Sequence, residues 1–591
     1  MAGPPRLARA LREALREGYS WTDLKADLTA GFVVAAVAVP LSLAFAIASG
    51  VPPQYGLVTA IVAGLLTALL GGSRVQVTGP TAAFIVILAP IATQHGHRGL
   101  ALAAALSGVV LVAMGLMRLG RLVQLMPYPV TIGFTAGVGV VIAILQIEAL
   151  FGLAPPEGAG ALRALERLAT LADRTAELDP YDTLVGLLTL AALLAWRKVP
   201  TRLPAAIVAL PLGALAALAL MHWAPGAHVE SLADRFGDAA HPYGIAATLP
   251  QLLAPWNLPD ASGALVASSP LPSFALLHDV LPAAFAIAML AALATLLSAV
   301  VADGMSGRTH DPDAELTALG IANIVAPFFG AIPASGAVAR TITNVRSGAR
   351  SPIAAIAHSL FVLAAVLTLA PALGHVPMAS LAALLLTVAW NMAELPHIAR
   401  VLRTAPRSDS AVLLVCLTLT VAFDMTTAVG VGVTLASFLF MRRMIELGGA
   451  RFLEPQDSKV GGATPAGVAV YEIAGPLFFG AAHKATATLS GLDRAQTQVL
   501  VLELSNVPSI DATGIVNLRS TIERLGQTGI HVVLTGLQAA PSRDLRRAGL
   551  FDLGAKHKVT TRPTLLEGLE LAATIAAELR GASQPDPGAS A

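Results

Sequence analysis

From about Leu28 to Met441 the chain is a succession of apolar runs, broken by short polar turns and by two longer connections, about Gly152 to Pro180 and Gly226 to His278. A helix needs roughly 20 apolar residues to cross a hydrocarbon core. The runs resolve into fourteen segments centred near Val39, Ala63, Ile85, Ser107, Gly139, Thr189, Leu212, Leu290, Ala322, Ile342, Val362, Leu384, Leu417 and Thr434. Two of them, the third and the tenth, are too short to cross alone. After Arg442 and Arg443 the pattern changes. Val468 to Ile473, Val499 to Leu504 and Val532 to Leu537 predict buried strands, and Ala512 to Leu525 and Ser542 to Ala548 predict helices. The expected class is an α-helical polytopic membrane protein followed by a small α/β domain. Its parts are an amino-terminal segment (1–27), a membrane domain (28–445), a linker (446–466), a soluble domain (467–580) and a Ser/Pro/Gly-rich tail (581–591) expected to be disordered.

Composition agrees with that division. Of 591 residues 55% are hydrophobic and 13% charged, and the mean hydropathy of +0.71 exceeds what a water-soluble globule carries. A net charge of +1 excludes a domain-scale basic surface for nucleic acid. Loop arginines and lysines (Arg74, Arg118, Arg121, Arg197, Lys198, Arg202, Arg308, Arg346, Arg350, Arg400, Arg403, Arg407) follow even-numbered segments, which predicts both termini on the cytoplasmic side. Residues Pro4 to Asp27 lack the apolar core and cleavage site of a signal peptide. The lone Cys416 lies in an apolar run, so no intramolecular disulfide or Cys-based metal cluster is available. No nucleophile, base and orienting group and no metal-ligand spacing emerges, so neither an enzyme nor a metal or other cofactor is expected.

The two short segments share a design. Gly72-Ser73-Arg74-Val75-Gln76-Val77-Thr78 alternates as an extended chain and turns helical at Gly79-Pro80, where proline suits the first helical position and Thr78 or Thr81 can cap free amides. Gly330-Ala331-Ile332-Pro333-Ala334-Ser335-Gly336-Ala337 leads into a short helix through Arg340 to Val345 in the same way. Third and tenth correspond in two sets of seven, the pattern of an inverted repeat. Ordinary Gly/Pro kinks in spanning helices are the competing reading. If the half-helices oppose each other, their amino ends, each with unpaired N–H groups and about half a positive charge, would hold an anion in the gap. Arg340, one turn into the tenth segment, would face an aqueous cavity or a partner and add positive charge, or reach cytoplasmic water beside Arg346. In the first segment Pro40 is expected to break the helix near mid-membrane. Ser42 and Phe45, about one turn apart, would line the same cavity, with plain apolar packing open for Phe45.

These residues resemble the SulP sulfate-permease family. The likeness runs through Pro40 to Gly56, Ser73 to Phe84, Ala302 to Gly307, Asn323 to Gly336 and Arg340 to Pro352, in the family's order, and covers nearly the whole chain. Runs such as Ala382 to Asn391 and Leu435 to Arg443 are most similar to the bacterial C4-dicarboxylate branch. The resemblance implies two intertwined seven-helix repeats, with a core of segments one to four and eight to eleven and a gate made by the rest. It also implies a homodimer in a bacterial inner (plasma) membrane, in contact with lipid, and elevator-type transport of a small anion: fumarate or succinate, sulfate, bicarbonate or chloride. Phe45, Thr81, Ala82, Ser335, Gly336 and Ala337 match family positions around the substrate, and Arg340 matches a cavity arginine.

One departure stands out. Where many bacterial members have a glutamate implicated in proton or sodium coupling, this chain has Ala294, which can neither titrate nor balance charge. Symport driven by H⁺ or Na⁺ is thereby in doubt, and exchange, uniport or a leak gains. Asp303 is a conceivable substitute, with capping or an ion pair as its plainer role. The soluble domain resembles a STAS domain. Ser509 to Gly514 matches that family's phosphorylatable loop, with Thr513 at the acceptor position and Asp511 reading plainly as a helix N-cap; phosphorylation at Thr513 would place charge at a helix amino end. Two alternatives remain: an anion-sensing signalling protein that acts on a cytoplasmic partner through the STAS domain, and a channel-like anion pathway.

Overall fold

The computed structural model describes residues 7–581 except 124–126, 155–163, 202, 225, 240, 254–257, 260–273, 424, 448, 455, 456, 458–463, 479–488, 490, 491, 493–495 and 552–558. The tail beyond Gly581 and part of the 446–466 stretch therefore lie outside the described residues. The chain forms two units, Met1–Ala436 and Ser437–Ala591.

In the first unit α1 (Arg9–Arg16) precedes α2 (Trp21–Ala48), α3 (Pro53–Leu70), the short strand β1 (Thr78–Gly79), α4 (Ile85–Leu116), α5 (Tyr128–Leu150), α6 (Pro180–Trp196) and α7 (Ala205–Trp223). There follow α8 (Phe274–Ser306), α9 (Pro312–Val325), the strand β2 (Ser335–Gly336), α10 (Val338–Arg346), α11 (Ile353–Gly374), α12 (Met378–Ala393), α13 (Leu395–Thr404), α14 (Arg407–Ala422) and α15 (Met425–Leu447), which runs on past Ala436. Each of the fourteen expected centres falls within one of these helices. Eight helices among the described residues are long and apolar enough to cross a membrane.

One expectation is corrected. Pro40 does not break the first segment: α2 runs through it for 28 residues, starting from a capping box made by Ser20 and Asp23. Neighbouring helices in an apolar bundle support the carbonyl that a proline frees, so the local rule from soluble helices fails here. The third and fourth segments are parted, as expected, at Gly96. They run together as α4, two helices joined across a kink where Gly96 (φ 66°, ψ −166°) leaves the helical region for a conformation that suits glycine. His97, just after the kink, is buried and its Nε2 lies 2.7 Å from the Gly330 carbonyl, against the ring of Tyr55.

The helices pack in two groups. In one, α4 lies against α8 and α9, α11 against α2 and α3, and α10 against α8 and α2; in the other, α5 lies against α12 and α14, and α6 against α7 and α12. Bare glycine surfaces set the approach. A Cβ at Gly320 would come 2.6 Å from the Val112 nitrogen and 2.7 Å from the Gly108 carbonyl oxygen, so α9 and α4 touch backbone to backbone. In the second group Cys416, fully buried on α14, fills the space left by Gly432.

The second unit holds β3 (Gly449–Phe452), β4 (Val468–Ala474), β5 (Val499–Glu503), α16 (Ala512–Gln527), β6 (His531–Thr535), α17 (Ala539–Arg547), β7 (Val559–Arg562) and α18 (Leu565–Gly581). The five strands order as β3-β4-β5-β6-β7, antiparallel at the first pair and parallel thereafter. Alternate residues feed two cores: Leu500, Leu502 and Leu534 meet Leu518 and Ile522 of α16, while Val499, Val501 and Val533 meet Leu569 and Ala572 of α18. Both faces are covered, which is why β5 is buried along its whole length.

A polar collar fastens the amino-terminal segment to the membrane helices. The Ala8 N–H donates to the Leu70 carbonyl at 2.8 Å, Arg74 binds Glu17, and Arg308 donates to Glu17 at 3.0 Å. Asp27 is buried and accepts from the Tyr19 hydroxyl (2.8 Å), the Arg350 N–H (2.6 Å) and Ser351. The hydrogen bond from Arg74, then that from Arg308, holds the Glu17 carboxyl down at about 2. Because the folded value is depressed, the stabilising contribution is complete above the ordinary carboxylate value and is lost as pH falls toward about 2. Amide exchange across Arg9–Arg16, corrected for intrinsic rates, is expected to accelerate between pH 5 and pH 2, and at neutral pH in Arg74→Ala. Unchanged protection in both would show that this collar does not hold the segment.

Candidate functional site

The stretch from Gly72 to Pro80 is extended backbone inside an apolar domain, where every N–H and C=O must find a partner. The chain supplies them from distant positions. Glu315 of α9 accepts from the Gly72 and Ser73 N–H groups at 2.7 and 3.0 Å. Asn344 donates to the Val75 carbonyl at 2.8 Å, Thr341 Oγ1 accepts from the Val77 N–H at 3.1 Å, and the Ala337 N–H donates to the Val77 carbonyl at 2.9 Å. On the opposing stretch Asn323 both accepts from the Ala334 N–H (2.8 Å) and donates to its carbonyl (3.0 Å), and Thr295 of α8 accepts from the Gly336 N–H at 2.8 Å. The two stretches then pair antiparallel as β1 and β2, with Thr78 opposite Gly336 and Gly79 opposite Ser335.

This pairing brings the amino ends of the third and tenth segments together. The helical start differs from the expected one. Gly79 and Pro80 are not helical; the turn begins as a 3₁₀ segment, Ala82–Phe84, that runs into α4, and neither Thr78 nor Thr81 caps it. Thr81, half-buried, instead shares a hydrogen bond of 3.0 Å with Ser335, which is fully buried. α10 starts after Ala337, and no side chain caps it either. Two helix starts thus follow directly from one strand pair with no side-chain cap on either, beside the buried Ala82, Gly336 and Ala337.

Arg340 is 2% exposed and does not reach water beside the exposed Arg346. One guanidinium nitrogen donates to the Pro80 carbonyl, while Nη1 has no hydrogen-bond partner. A Cβ at Gly79 would sit 2.6 Å from Nη1, so the charge lies directly behind β1. Ser42 and Phe45 are buried in α2, the Ser42 hydroxyl without a partner. A cavity of about 120 Å³ lies further along that helix, between Ala44 and Ala48 on one side and Gln146, Glu148 and Leu381 on the other, with Arg167 at its edge. Its lining includes neither Thr81 nor Ser335.

Ala294 is half-buried on α8, one residue before Thr295. Asp303, at the cytoplasm-facing end expected for that helix, accepts from the His310 N–H at 3.0 Å and lies 2.7 Å from His310 Nδ1. In the second unit Asp511 caps α16 by accepting from the Gly514 N–H at 2.6 Å, and Thr513 is exposed in the first turn. Among the described residues no group of three His, Cys, Asp or Glu could hold a metal. Sequence reading passed over Gln76, Thr295, Thr341 and Asn344. The available signal was polarity itself, since an amide or hydroxyl in a membrane segment needs a reason to be there.

Residues 24–416 match the sulfate permease family and residues 463–567 match the STAS domain. The chain belongs to the sulfate permease family. Among its relatives is a putative sulfate transporter, YvdB of Bacillus subtilis, 36% identical over 92% of this chain and 97% of the relative. The bicarbonate transporter BicA of a Picosynechococcus strain is 27% identical, covering 90% of this chain and 91% of that one. The transmembrane domain of a cyanobacterial BicA superimposes with a TM-score of 0.57 at 26% identity, over 71% of this chain and 98% of that domain. Murine Slc26a9, described as an anion transporter in the inward-facing state, gives 0.81 at 18% identity over 96% and 94% of the two chains, a likeness of fold. The sulfate permease fold thus accounts for the membrane helices and the appended STAS domain together.

Gly336 is the tightest point of this site. A methyl group there would overlap the Gln76 carboxamide nitrogen and come 2.9 Å from the Thr295 Cα. Gly336→Ala is expected to cost about 1–3 kcal/mol through overpacking, read as a lowered thermal midpoint in detergent, and to cut anion flux in proteoliposomes at least tenfold. Wild-type flux and melting in this variant would show that the close approach is not required.

Proposed function

We propose that the chain is a secondary transporter of small oxyanions that holds its substrate in the gap between the amino ends of the third and tenth segments, at Thr81, Ala82, Ser335, Gly336 and Ala337. The observation that carries this is the β1–β2 pairing, which aims two uncapped helix ends at one place. Each end contributes roughly half a positive charge, and Arg340 adds a whole one behind them. An anion held by dipoles and small side chains needs no lysine to enter the bundle. Ser42 and Phe45 form the adjoining wall. Sulfate and bicarbonate, the anions for which the relatives are named, lead the substrate panel, with succinate and fumarate next.

In this reading the group containing α2–α4 and α8–α11 moves as a core against the group containing α5–α7 and α12–α15, carrying the anion with it as an elevator. The chain works as a homodimer in a bacterial plasma membrane with both termini in the cytoplasm, and the STAS domain is a regulatory module whose input at Thr513 places charge at the start of α16. With alanine at 294 the transporter has lost a carboxylate that could carry a proton or balance a sodium ion, so net movement follows the anion gradient or an exchanged anion.

Reconstituted protein is expected to take up labelled sulfate or bicarbonate saturably and without a pH or sodium gradient. The double variant Thr81→Val/Ser335→Ala should lose at least tenfold in uptake while melting within a few degrees of wild type. Ala294→Glu should make uptake gradient-dependent. Binding without flux would favour the signalling reading, and full gradient-driven uptake by the alanine protein would overturn the uncoupled one.

A further inference from the structure

Gln76 is a residue that the site as described does not use. It sits two positions before β1 on the extended stretch, is 6% exposed, and has neither its carboxamide nitrogen nor its carboxamide oxygen in a hydrogen bond. Polar atoms buried at this depth nearly always have a partner, and an orphaned donor and acceptor on one group call for a reason. Its neighbours leave little ambiguity about its surroundings. The nitrogen lies against Gly336, the residue opposite Thr78 across the strand pair, and the Thr295 backbone lies against the same glycine. Adjacent polar groups are already engaged: Thr295 accepts from the Gly336 N–H, and Thr341 accepts from the Val77 N–H. The carboxamide is therefore an unspent donor and acceptor at the mouth of α10.

We infer that Gln76 selects the substrate's protonation state, favouring a monoanion that carries one O–H over an anion that only accepts hydrogen bonds. The inference rests on the proposed anion site and adds a substrate class to it. Helix amides and Arg340 donate and cannot distinguish one oxyanion from another except by charge and size. Gln76 can, because it offers a donor and an acceptor side by side. Hydrogencarbonate presents a charged oxygen to the Gln76 NH₂ and an O–H to its carbonyl, so both orphaned atoms are satisfied. A half-protonated dicarboxylate offers the same pair. Sulfate at neutral pH has acceptors alone, which leaves the glutamine carbonyl unpaired against a negative oxygen. A buried polar group left unpaired disfavours a ligand far more than one lost contact does.

The test compares wild type, Gln76→Met and Gln76→Asn as full-length protein in proteoliposomes, with melting and gel filtration as fold controls. Labelled hydrogencarbonate and sulfate are measured at pH 8, and succinate at pH 5, where one carboxyl stays protonated. Gln76→Met removes donor and acceptor at similar length. It is expected to raise the KM for hydrogencarbonate about tenfold or more, with that for sulfate changing less than about twofold. Gln76→Asn keeps the chemistry and should retain the wild-type order of preference, which a merely space-filling role would not require. A parallel effect on half-protonated succinate would identify the O–H monoanion as the class; an effect on hydrogencarbonate alone would narrow it to that ion. An equal shift for hydrogencarbonate and sulfate, no shift, or no hydrogencarbonate flux in wild type would overturn the inference. If the Thr81→Val/Ser335→Ala protein carries both anions normally, the site itself fails, whatever Gln76 does.

Discussion

Four residues in two short strands, Thr78–Gly79 and Ser335–Gly336, hold the arrangement together. Extended backbone at membrane depth is affordable only when each N–H and C=O is matched, since an unmatched group there costs several kcal/mol. Here the two irregular stretches pair with each other, and single side chains from α9, α8 and α10 take up further groups. Once the strands are paired, the helices that follow have little freedom in where they begin. Their amino ends meet because their preceding strands do.

Small side chains make this possible. Gly79 lets Arg340 lie flat behind the strand, Gly336 lets the Gln76 amide approach, and Gly108 with Gly320 lets α4 and α9 close against each other. The Ala82 end of the site and the Gly108 contact lie on the two sides of the Gly96 kink, so the glycine-tight packing against α9 belongs to the second half of α4. The second packing group, built around α5 and α12, contributes none of the paired backbone. The paired backbone therefore belongs to one packing group alone.

Periodicity and length were enough to place the membrane helices and the three inner strands of the α/β domain, because burial leaves continuous apolar runs; the edge strands β3, inside the expected linker, and β7 are largely exposed and left no such run. Polar content misled where long-range partners mattered. The polar stretch at Gly96 does part the third and fourth segments, yet His97 within it is buried against Gly330, a partner that no local pattern names. Pro40 read as a break because the rule was learned from helices in water. The half-helices were recognisable from their glycines and prolines, but their starting points shifted by a few residues, since strand pairing claimed Thr78 and Gly79 first. The polar residues that tie the site together act across more than 250 positions in several cases, as with Asn344 and Val75, and no local spacing encodes such a contact.

The burial of Cys416 has a practical meaning. It is the chain's one cysteine, wholly enclosed on α14 and facing a glycine. A thiol so enclosed is shielded from aqueous maleimides. The protein is therefore nearly a blank background for spectroscopic handles: a cysteine introduced on each packing group could carry a dye or spin label, and the distance between them would report any movement between the groups without first dismantling the native sequence.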